Sequence, residues 1–160
     1  MTIKVGDKIP AVTLHMMGPD GPKQVTTDEL FKGKKVAFFG VPGAFTPTCS
    51  AKHVPGFMEN AAKLKAKGIG DIVCIAVNDA FVMGAWSKAQ NVGDTIKMVA
   101  DGDGNFAKAA DIELDLTGKG LGKRARRFSM VVDDGVVKVL NLEQGGGFEV
   151  SSAEQLLAKL

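Results

Sequence analysis

The sequence predicts an α/β fold with a central mixed β-sheet, and two observations indicate this class. Two continuous apolar runs, Lys35–Gly40 and Asp71–Val77, are separated by a stretch of helical periodicity, which is typical of parallel strands joined by a crossover helix. Nearer the C-terminus, Asp133-Asp134-Gly135 separates two further apolar segments and indicates an antiparallel hairpin. Because 160 residues is a usual length for one domain, we expect residues 1–160 to form a single domain.

The N-terminal residues are expected to form a β-hairpin that extends the sheet. Val12–Met16 has the composition of a strand, and the glycines and prolines of Gly18–Pro22 predict a turn before Lys23–Val25. Thr27–Phe31 then predicts a short helical turn that ends at Gly33.

A long helical pattern follows the first apolar run and extends to about Lys67. Phe57, Ala61 and Leu64 recur at the spacing of one helical face, so that face should be buried. Pro55 lies inside the pattern, and because proline has no N–H to donate, it should kink or break the helix just before it.

The second half of the chain alternates predicted helices and strands. Asn78-Asp79 can cap a helix, whose buried side we place at Phe81, Val82, Ala85, Trp86 and Ala89. After it we expect a strand, a short helix, a polar glycine-rich loop, the two strands of the hairpin, and a final helix that begins with capping-box spacing. These segments are Thr95–Ala100, Asn105–Asp111, Leu116–Lys123, Phe128–Val132, Val136–Leu140 and Ser151–Leu160.

The composition narrows the class of function. A net charge of +2 gives no indication of nucleic-acid or membrane-surface binding, and no apolar run approaches the roughly 20 residues of a membrane span. Two cysteines and two histidines without paired ligand spacing predict no structural zinc site. So few cysteines favour a reducing compartment or catalysis, and the N-terminus lacks the apolar core of a secretory signal. We therefore expect a cytoplasmic protein, or one that has lost an organelle transit peptide.

The stretch Val41–Ser50 leads from the first buried strand into the long helix and is the candidate functional site. Thr46 followed by Pro47 indicates an N-cap and the first helical residue. Cys49 then lies in the first helical turn, where unpaired backbone N–H groups create a positive potential that favours thiolate over thiol. The carboxyl end of a buried strand is also where α/β sheets bind ligands, so we predict a reactive sulfur.

The helix terminus alone is too weak to activate a thiol, so a cation is required. A helix N-terminus contributes ~0.3–1 kcal/mol, which is less than one unit in the pKa of a thiol at about 1.36 kcal/mol per unit. A nearby opposite charge shifts a pKa by roughly 1–3 units. The available cations are Lys52, His53 and the basic run Lys123–Arg127. Of these, Arg127 directly precedes the apolar strand Phe128–Val132, so we expect it to be held near the sheet.

Three segments together resemble the atypical peroxiredoxins of type II, or type 5. Pro42–Ser50 followed by His53–Phe57 is similar to the active-site segment of that family, and Ala76–Met83 and Arg127–Val132 are similar to further blocks of it. The resemblance covers nearly the whole chain. It implies a thioredoxin-like fold, thiol-dependent reduction of hydrogen peroxide and alkyl hydroperoxides, and a homodimer.

The same resemblance implies a catalytic role for four residues and a supporting role for a fifth. Cys49 would be the peroxidatic cysteine, and Thr46 would supply the hydroxyl that hydrogen-bonds the thiolate and the peroxide. Pro42 would shield the thiolate, and Arg127 would place its guanidinium over the site, with His53 as a supporting residue. The resemblance implies no cofactor and no metal, because an external thiol supplies the electrons.

Cys74 is the internal candidate for a second, resolving thiol, but helix geometry argues against it. A helix from Cys49 to Lys67 would carry the chain ~27 Å along the helix axis. The strand that leads to Cys74 would return it only about 10 Å in the opposite direction. The remaining ~17 Å exceeds the roughly 7 Å limit between the Cα atoms of a disulfide. Some family members carry a resolving cysteine near the C-terminal loop, and Phe148–Ser152 has none. We therefore expect a one-Cys cycle, resolved by glutathione with glutaredoxin or directly by thioredoxin.

Other functions are compatible with a reactive Cys49. A redox relay would use the same thiol to sense peroxide and pass oxidation to a partner protein. His53 lies four residues after Cys49, which also permits a Cys–His nucleophile pair of the hydrolase type. Asp101–Ile112 begins like a calcium-binding loop, but Phe106 stands at the glycine position and Ile112 at the glutamate position, so we predict no calcium site.

Overall fold

The computed structural model describes residues 1–160. The strands are β1 (Thr13–Gly18), β2 (Gly21–Thr26), β3 (Lys35–Val41), β4 (Asp71–Ala76), β5 (Lys97–Ala100), β6 (Glu113–Leu116), β7 (Gly122–Ala125), β8 (Phe128–Asp133) and β9 (Val136–Leu142). The α-helices are α1 (Thr27–Phe31), α2 (Val54–Glu59), α3 (Ala61–Ala66), α4 (Ala80–Ala89), α5 (Asn105–Ala109) and α6 (Ala153–Leu157). Seven strands form one sheet in the order β2-β1-β5-β4-β3-β8-β9, and β6 pairs with β7 in a separate sheet.

The centre of the sheet is parallel, as the two apolar runs predict. Strands β3, β4 and β5 run in the same direction, and Phe39 of β3 pairs with Cys74 of β4. Strand β8 lies antiparallel on the other side of β3. Gly40 is required in β3, because a Cβ atom there would lie 2.3 Å from a ring carbon of Phe128 on β8.

Hairpins complete the sheet on both sides, and helices cover its two faces. The predicted N-terminal hairpin β1–β2 joins the sheet through β5, and the predicted hairpin β8–β9 forms the opposite edge. Helices α2, α3, α4 and α6 contribute to a cluster of 22 buried residues on one face, and α1 and α5 contribute to a cluster of 19 on the other. The expected mixed α/β class is confirmed. None of the helices is both long enough and apolar enough to cross a membrane.

The helical segment that follows β3 is not one regular helix. Cys49–His53 forms a π-helical turn, in which the Val54 N–H donates to the Cys49 carbonyl. This change of helix type comes just before Pro55, where the sequence predicts a kink or break, and proline causes it because its ring nitrogen has no hydrogen to donate to the preceding turn. A second break at Asn60, which separates α2 from α3, is not predicted by the sequence.

Helix α4 buries Trp86 as predicted, but the rest of its buried face differs from the prediction. Ala80, Met83 and Trp86 are buried, whereas Phe81 is 66% exposed. The predicted N-cap is correct in its second residue, since the Asp79 carboxylate accepts a hydrogen bond from the first helical turn. The prediction for Phe81 is wrong because this residue, although hydrophobic, lies off the helical stripe that includes Trp86.

Two further segments differ from the prediction. The glycine-rich segment 116–123 is not entirely loop, because its ends belong to strands β6 and β7, in which Leu114 pairs with Arg124. Helix α6 begins at Ala153, two residues later than the predicted Ser151, and is shorter. Its N-cap is Ser152, whose hydroxyl accepts a hydrogen bond from the Gln155 N–H at 3.2 Å, and it ends at Leu157.

Candidate active site

The loop from Pro42 to Thr46 connects β3 to the helical segment and is held from two sides. The Ala44 N–H donates to the Asn78 side-chain oxygen at 2.9 Å, which ties the loop to the start of α4. From the other side, Arg124 Nη1 donates to the Pro42 carbonyl at 3.3 Å. Phe45 has a φ of 64°, a left-handed conformation that is uncommon for a residue with a side chain. The loop therefore has a fixed course into the helical turn that carries the candidate thiol.

Cys49 is fully buried, and its sulfur lies beside the Thr46 hydroxyl. The distance from Thr46 Oγ1 to Cys49 Sγ is 2.8 Å, and the same hydroxyl lies 2.7 Å from the Gly43 carbonyl. A hydroxyl has one hydrogen to donate. Thr46 can therefore donate to a thiolate at Cys49, or donate to Gly43 while it accepts the S–H of the thiol, so it serves both protonation states.

Arg127 brings a guanidinium to the same sulfur from a position 78 residues further along the chain. It lies directly before β8, is 3% exposed, and places Nη2 at 3.2 Å from Cys49 Sγ. Its Nη1 lies 3.0 Å from Nδ1 of His53. Its Nε is buried and has no hydrogen-bond partner within the protein. The cation that the sequence requires is therefore next to the thiol, and one of its donors is unpaired.

His53 is a neutral acceptor for Arg127. Its Nε2 lies 2.8 Å from the Ser151 carbonyl, and because a carbonyl only accepts, Nε2 carries the hydrogen and Nδ1 accepts from Arg127. Burial and the Arg127 charge lower the pKa of His53 to about 3, although the Ser151 hydrogen bond and Glu143 oppose this. Both ring nitrogens are engaged away from Cys49, so His53 does not form the Cys–His nucleophile pair that its spacing permits.

The depressed pKa of His53 predicts a loss of stability in acid. Its pKa is about 3 in the folded protein against an ordinary value of 6.5, so below about pH 6.5 the unfolded chain binds a proton that the native state does not. We expect His53 alone to contribute a slope of up to ~1.4 kcal/mol of unfolding free energy per pH unit in this window. Urea unfolding of wild type and His53→Gln at several pH values measures the slope. Equal slopes for the two proteins would contradict the assignment.

The structure brings together three of the four residues named from the sequence. Cys49, Thr46 and Arg127 are in direct contact. Pro42 is half-buried at the start of the loop, and its shielding role stays a prediction. The Ser151 carbonyl is a backbone group that no residue type reveals. Arg124, one of the available cations, binds the Pro42 carbonyl rather than the sulfur.

The chain between Cys49 and Cys74 does not follow the straight helix that the distance estimate assumed. Both cysteines belong to the same buried cluster on one face of the sheet, and Cys49 is among the groups that raise the pKa of Cys74. The prediction assumed one straight helix to Lys67, whereas the helical segment changes type before Pro55 and breaks at Asn60. Both thiols are free in this structure.

The parallel βαβ core, with a buried cysteine at the start of its crossover helix, defines a thioredoxin-like thiol protein. Residues 4–157 match the family model described as Redoxin, and the chain is 53% identical over 163 residues to Peroxiredoxin-2E, chloroplastic, of Arabidopsis thaliana, covering 99% of this chain and 70% of the relative. This chain belongs to the redoxin family and, within it, to the type II peroxiredoxins.

Solved structures agree with this placement and confirm the thioredoxin-like fold. Reduced Prx3 from Vibrio vulnificus, in complex with hydrogen peroxide, superposes with a TM-score of 0.94 at 49% identity, covering 99% of each chain. Peroxiredoxin 5 from Alvinella pompejana superposes with a TM-score of 0.82 at 38% identity, covering 90% of this chain and 93% of the other. The resemblance to type II and type 5 peroxiredoxins is confirmed.

Proposed function

We propose that this protein is a thiol-dependent peroxidase that reduces hydrogen peroxide and alkyl hydroperoxides through Cys49. The observation that carries the proposal is the donor set around one sulfur, with Thr46 Oγ1 at 2.8 Å and Arg127 Nη2 at 3.2 Å. Arg127 Nε is buried without a protein partner, and a buried unpaired donor costs about 1–3 kcal/mol. A peroxide oxygen that accepts this hydrogen bond removes that cost, so the site favours the substrate.

The chemical step follows from these residues. The Cys49 thiolate attacks one peroxide oxygen, an S–O bond forms, and the O–O bond breaks. Sulfur is oxidised to sulfenic acid, and the leaving hydroxide or alkoxide takes up a proton from solvent, which balances the proton that the Cys49 thiol released on ionising, and departs as water or alcohol. Negative charge moves from sulfur to the leaving oxygen, and the planar donor fork of Arg127 can serve adjacent atoms along that path. In this scheme Thr46 orients the thiolate and the peroxide, Pro42 shields the sulfur, and no metal or prosthetic group takes part.

We propose that an external thiol resolves the sulfenic acid in a one-Cys cycle. Burial raises the pKa of the Cys74 thiol well above its usual range, and Cys49 raises it further, whereas Arg127 lowers it. Cys74 is therefore a poor nucleophile despite its position in the same cluster, since the thiolate is the attacking species. Glutathione with glutaredoxin is the first candidate reductant and thioredoxin the second. Such systems keep the cytoplasm reducing, where we place the protein.

A turnover assay tests the cycle. Wild type and Cys74→Ser should consume hydrogen peroxide over many turnovers at equal rates when glutathione and glutaredoxin, or thioredoxin and its reductase, are supplied. The Cys74 thiol makes no hydrogen bond to Thr46 or Arg127, the two donors of the Cys49 sulfur, so its replacement should change only packing. If Cys74→Ser lost turnover with every external thiol while keeping the melting temperature of the wild type, the cycle would use two cysteines of one chain.

We also propose a homodimer that covers the loop beside Cys49. Phe45 is 54% exposed and Phe81 is 66% exposed, and the Asn78–Ala44 hydrogen bond holds their two segments together. Large exposed aromatic side chains are enriched where proteins associate. The mass of the protein in sedimentation tests this arrangement, and a single-chain mass at micromolar concentration would contradict it.

The same exposed phenylalanines favour a second candidate function, a peroxide-sensing relay. In that case a partner protein, rather than a second copy, would contact Phe45 and Phe81 and receive the oxidation of Cys49 as a mixed disulfide. The turnover assay separates the two functions. Rapid multiple turnover with small thiol systems supports the peroxidase, whereas a single turnover followed by a stable mixed disulfide with one partner supports the relay.

A further inference from the structure

Glu143 is a buried carboxylate that the peroxidase mechanism above does not use. The residue is 3% exposed, and its Oε2 accepts four hydrogen bonds from the C-terminal loop. The donors are the backbone N–H groups of Glu149, Val150 and Ser151, at 3.0, 2.9 and 2.9 Å, and the Ser151 hydroxyl at 2.7 Å. Burial raises the pKa of Glu143, but these hydrogen bonds outweigh burial and leave the pKa below its usual range. Glu143 is therefore an ionised anchor for this loop.

The anchored loop is connected to the reactive sulfur by three short contacts. The Ser151 carbonyl accepts from His53 Nε2 at 2.8 Å, and His53 Nδ1 accepts from Arg127 Nη1 at 3.0 Å. The other terminal nitrogen of Arg127 lies 3.2 Å from Cys49 Sγ. Each contact in this series is buried, so no competing solvent weakens it.

A backbone hydrogen bond also links Glu143 directly to Arg127, so that the contacts form a ring. The Glu143 N–H donates to the Arg127 carbonyl at 2.9 Å, and the guanidinium of Arg126 donates twice to the Glu143 carbonyl, at 2.9 and 2.7 Å. Glu143 thus fixes the main chain of Arg127 directly and the guanidinium of Arg127 through Ser151 and His53. The main chain and the guanidinium of Arg127 therefore both depend on Glu143.

Phe148 covers this ring of contacts from outside. Its ring lies 5.7 Å from the guanidinium carbon of Arg127 and 5.0 Å from the imidazole of His53. Phe148 directly precedes the segment that Glu143 binds, so the same anchor holds it in place. The cation–π contact adds to the restriction of the Arg127 side chain.

We propose that Glu143 is a positioning residue for peroxide reduction, which acts through the Ser151 carbonyl and His53 to hold Arg127 against the Cys49 sulfur. The inference rests on the proposed peroxidase function and adds a residue to it. Arginine has many rotamers, and a neutral imidazole directs it only while the imidazole itself is fixed. Without the anchor, His53 loses its acceptor at Ser151, and Arg127 loses its fixed direction.

The test compares Glu143→Gln and Glu143→Leu with a matched control, Glu154→Gln. Glu154 lies three residues after Ser151, and its carboxylate accepts from the Asn60 side chain at 3.0 Å, with no bond to Ser151, His53 or Arg127. Two readouts are needed. One is the rate constant for oxidation of Cys49 by hydrogen peroxide in a single turnover, and the other is the fraction of Cys49 present as thiolate at neutral pH, from its ultraviolet absorbance without peroxide.

We expect both readouts to fall in the order wild type, Glu143→Gln, Glu143→Leu, and to stay unchanged in Glu154→Gln. Glutamine keeps an oxygen that accepts from the loop, so its rate should fall about tenfold, and leucine should lower the rate about 100-fold, the effect of misplacing a catalytic group by ~1 Å. If Glu143→Leu does not fold, Glu143→Gln decides. A Glu143→Gln protein with the wild-type rate and thiolate fraction would overturn the proposal, even if its melting temperature were lower.

A double-mutant cycle identifies the route of the effect. If Glu143 acts through Arg127, Glu143→Gln should cause no further loss of rate in the Arg127→Lys background, because coupled residues are not additive. Fully additive losses would show that Glu143 acts elsewhere and would overturn the proposal. A wild type that does not reduce peroxide at all would instead refute the peroxidase function, whereas the thiolate fraction would still report on Glu143.

Discussion

Replacing Cys49 with serine should abolish peroxide consumption and leave the fold intact. Serine is close in size and can keep a hydrogen bond to the Thr46 hydroxyl, which lies 2.8 Å from the sulfur. A serine hydroxyl is not deprotonated at neutral pH and cannot form a sulfenic acid, which only a thiolate provides. The measurement is the intact mass after one equivalent of hydrogen peroxide. Wild type and Cys74→Ser should gain one oxygen, and Cys49→Ser should gain none.

The Cys74→Ser protein serves as the matched control for this substitution. It removes the other thiol of the same buried cluster and should keep the wild-type rate of oxidation. Oxidation of Cys49→Ser at the wild-type rate would refute Cys49 as the site of attack. Peptide mapping of the added oxygen excludes the seven methionines as its position.

Replacing Arg127 with lysine should lower the rate constant for Cys49 oxidation by about 10²–10³-fold, the usual effect of removing one fixed donor from a transition state. Lysine keeps the positive charge but has a single ammonium group. It cannot reach His53 Nδ1 and Cys49 Sγ together, as the two terminal nitrogens of Arg127 do at 3.0 and 3.2 Å. Stopped-flow fluorescence can follow the reaction, because Trp86 is the only tryptophan and its indole N–H bonds to Ser50, next to Cys49, at 3.0 Å.

The comparison with Arg127→Met separates charge from geometry. Methionine removes the charge and the donors together, so it should react more slowly than the lysine variant. If Arg127→Lys oxidised at the wild-type rate while Arg127→Met did not, the positive charge alone would account for the effect. The proposed function of the guanidinium fork would then be wrong.

The central part of the site was predictable because its signals are local in sequence. Thr46, Pro47 and Cys49 lie within one helical turn, and the energetic shortfall of the helix terminus required a cation. Arg127 stood out among the basic residues because it directly precedes an apolar strand. The structure confirms that this residue, far along the chain, contacts the sulfur.

The support around Arg127 was not predictable from the sequence. Glu143 stands in the polar stretch Asn141–Gly147, where a carboxylate is typical of a solvated loop, and its partners are mostly backbone N–H groups that no residue type reveals. The Ser151 carbonyl that fixes His53 is likewise a main-chain atom. Such contacts depend on how β9 and the following loop fold back towards β8, which is a tertiary property.

Cys74 shows where a geometric estimate from sequence fails. The rise per residue of an ideal helix is reliable, but the estimate also needed a straight path from Cys49 to Lys67. The π-helical turn before Pro55 and the break at Asn60 change that path. The assumption of a straight helix was wrong, whereas the assignment of Cys74 to a buried strand is correct.

Cys49 is completely buried. Its oxidation by peroxide and the later reduction of its sulfenic acid by a thiol therefore require different degrees of backbone movement. Hydrogen peroxide is small and needs only a narrow path to the sulfur. A peptide or protein thiol is far larger, so we expect the oxidised sulfur to become exposed before such a thiol reduces it. We expect the π-helical turn to be the place of that movement, because it carries Cys49 and Pro55 gives no N–H to the turn. We expect the rate at which this turn opens to set the lifetime of the sulfenic acid.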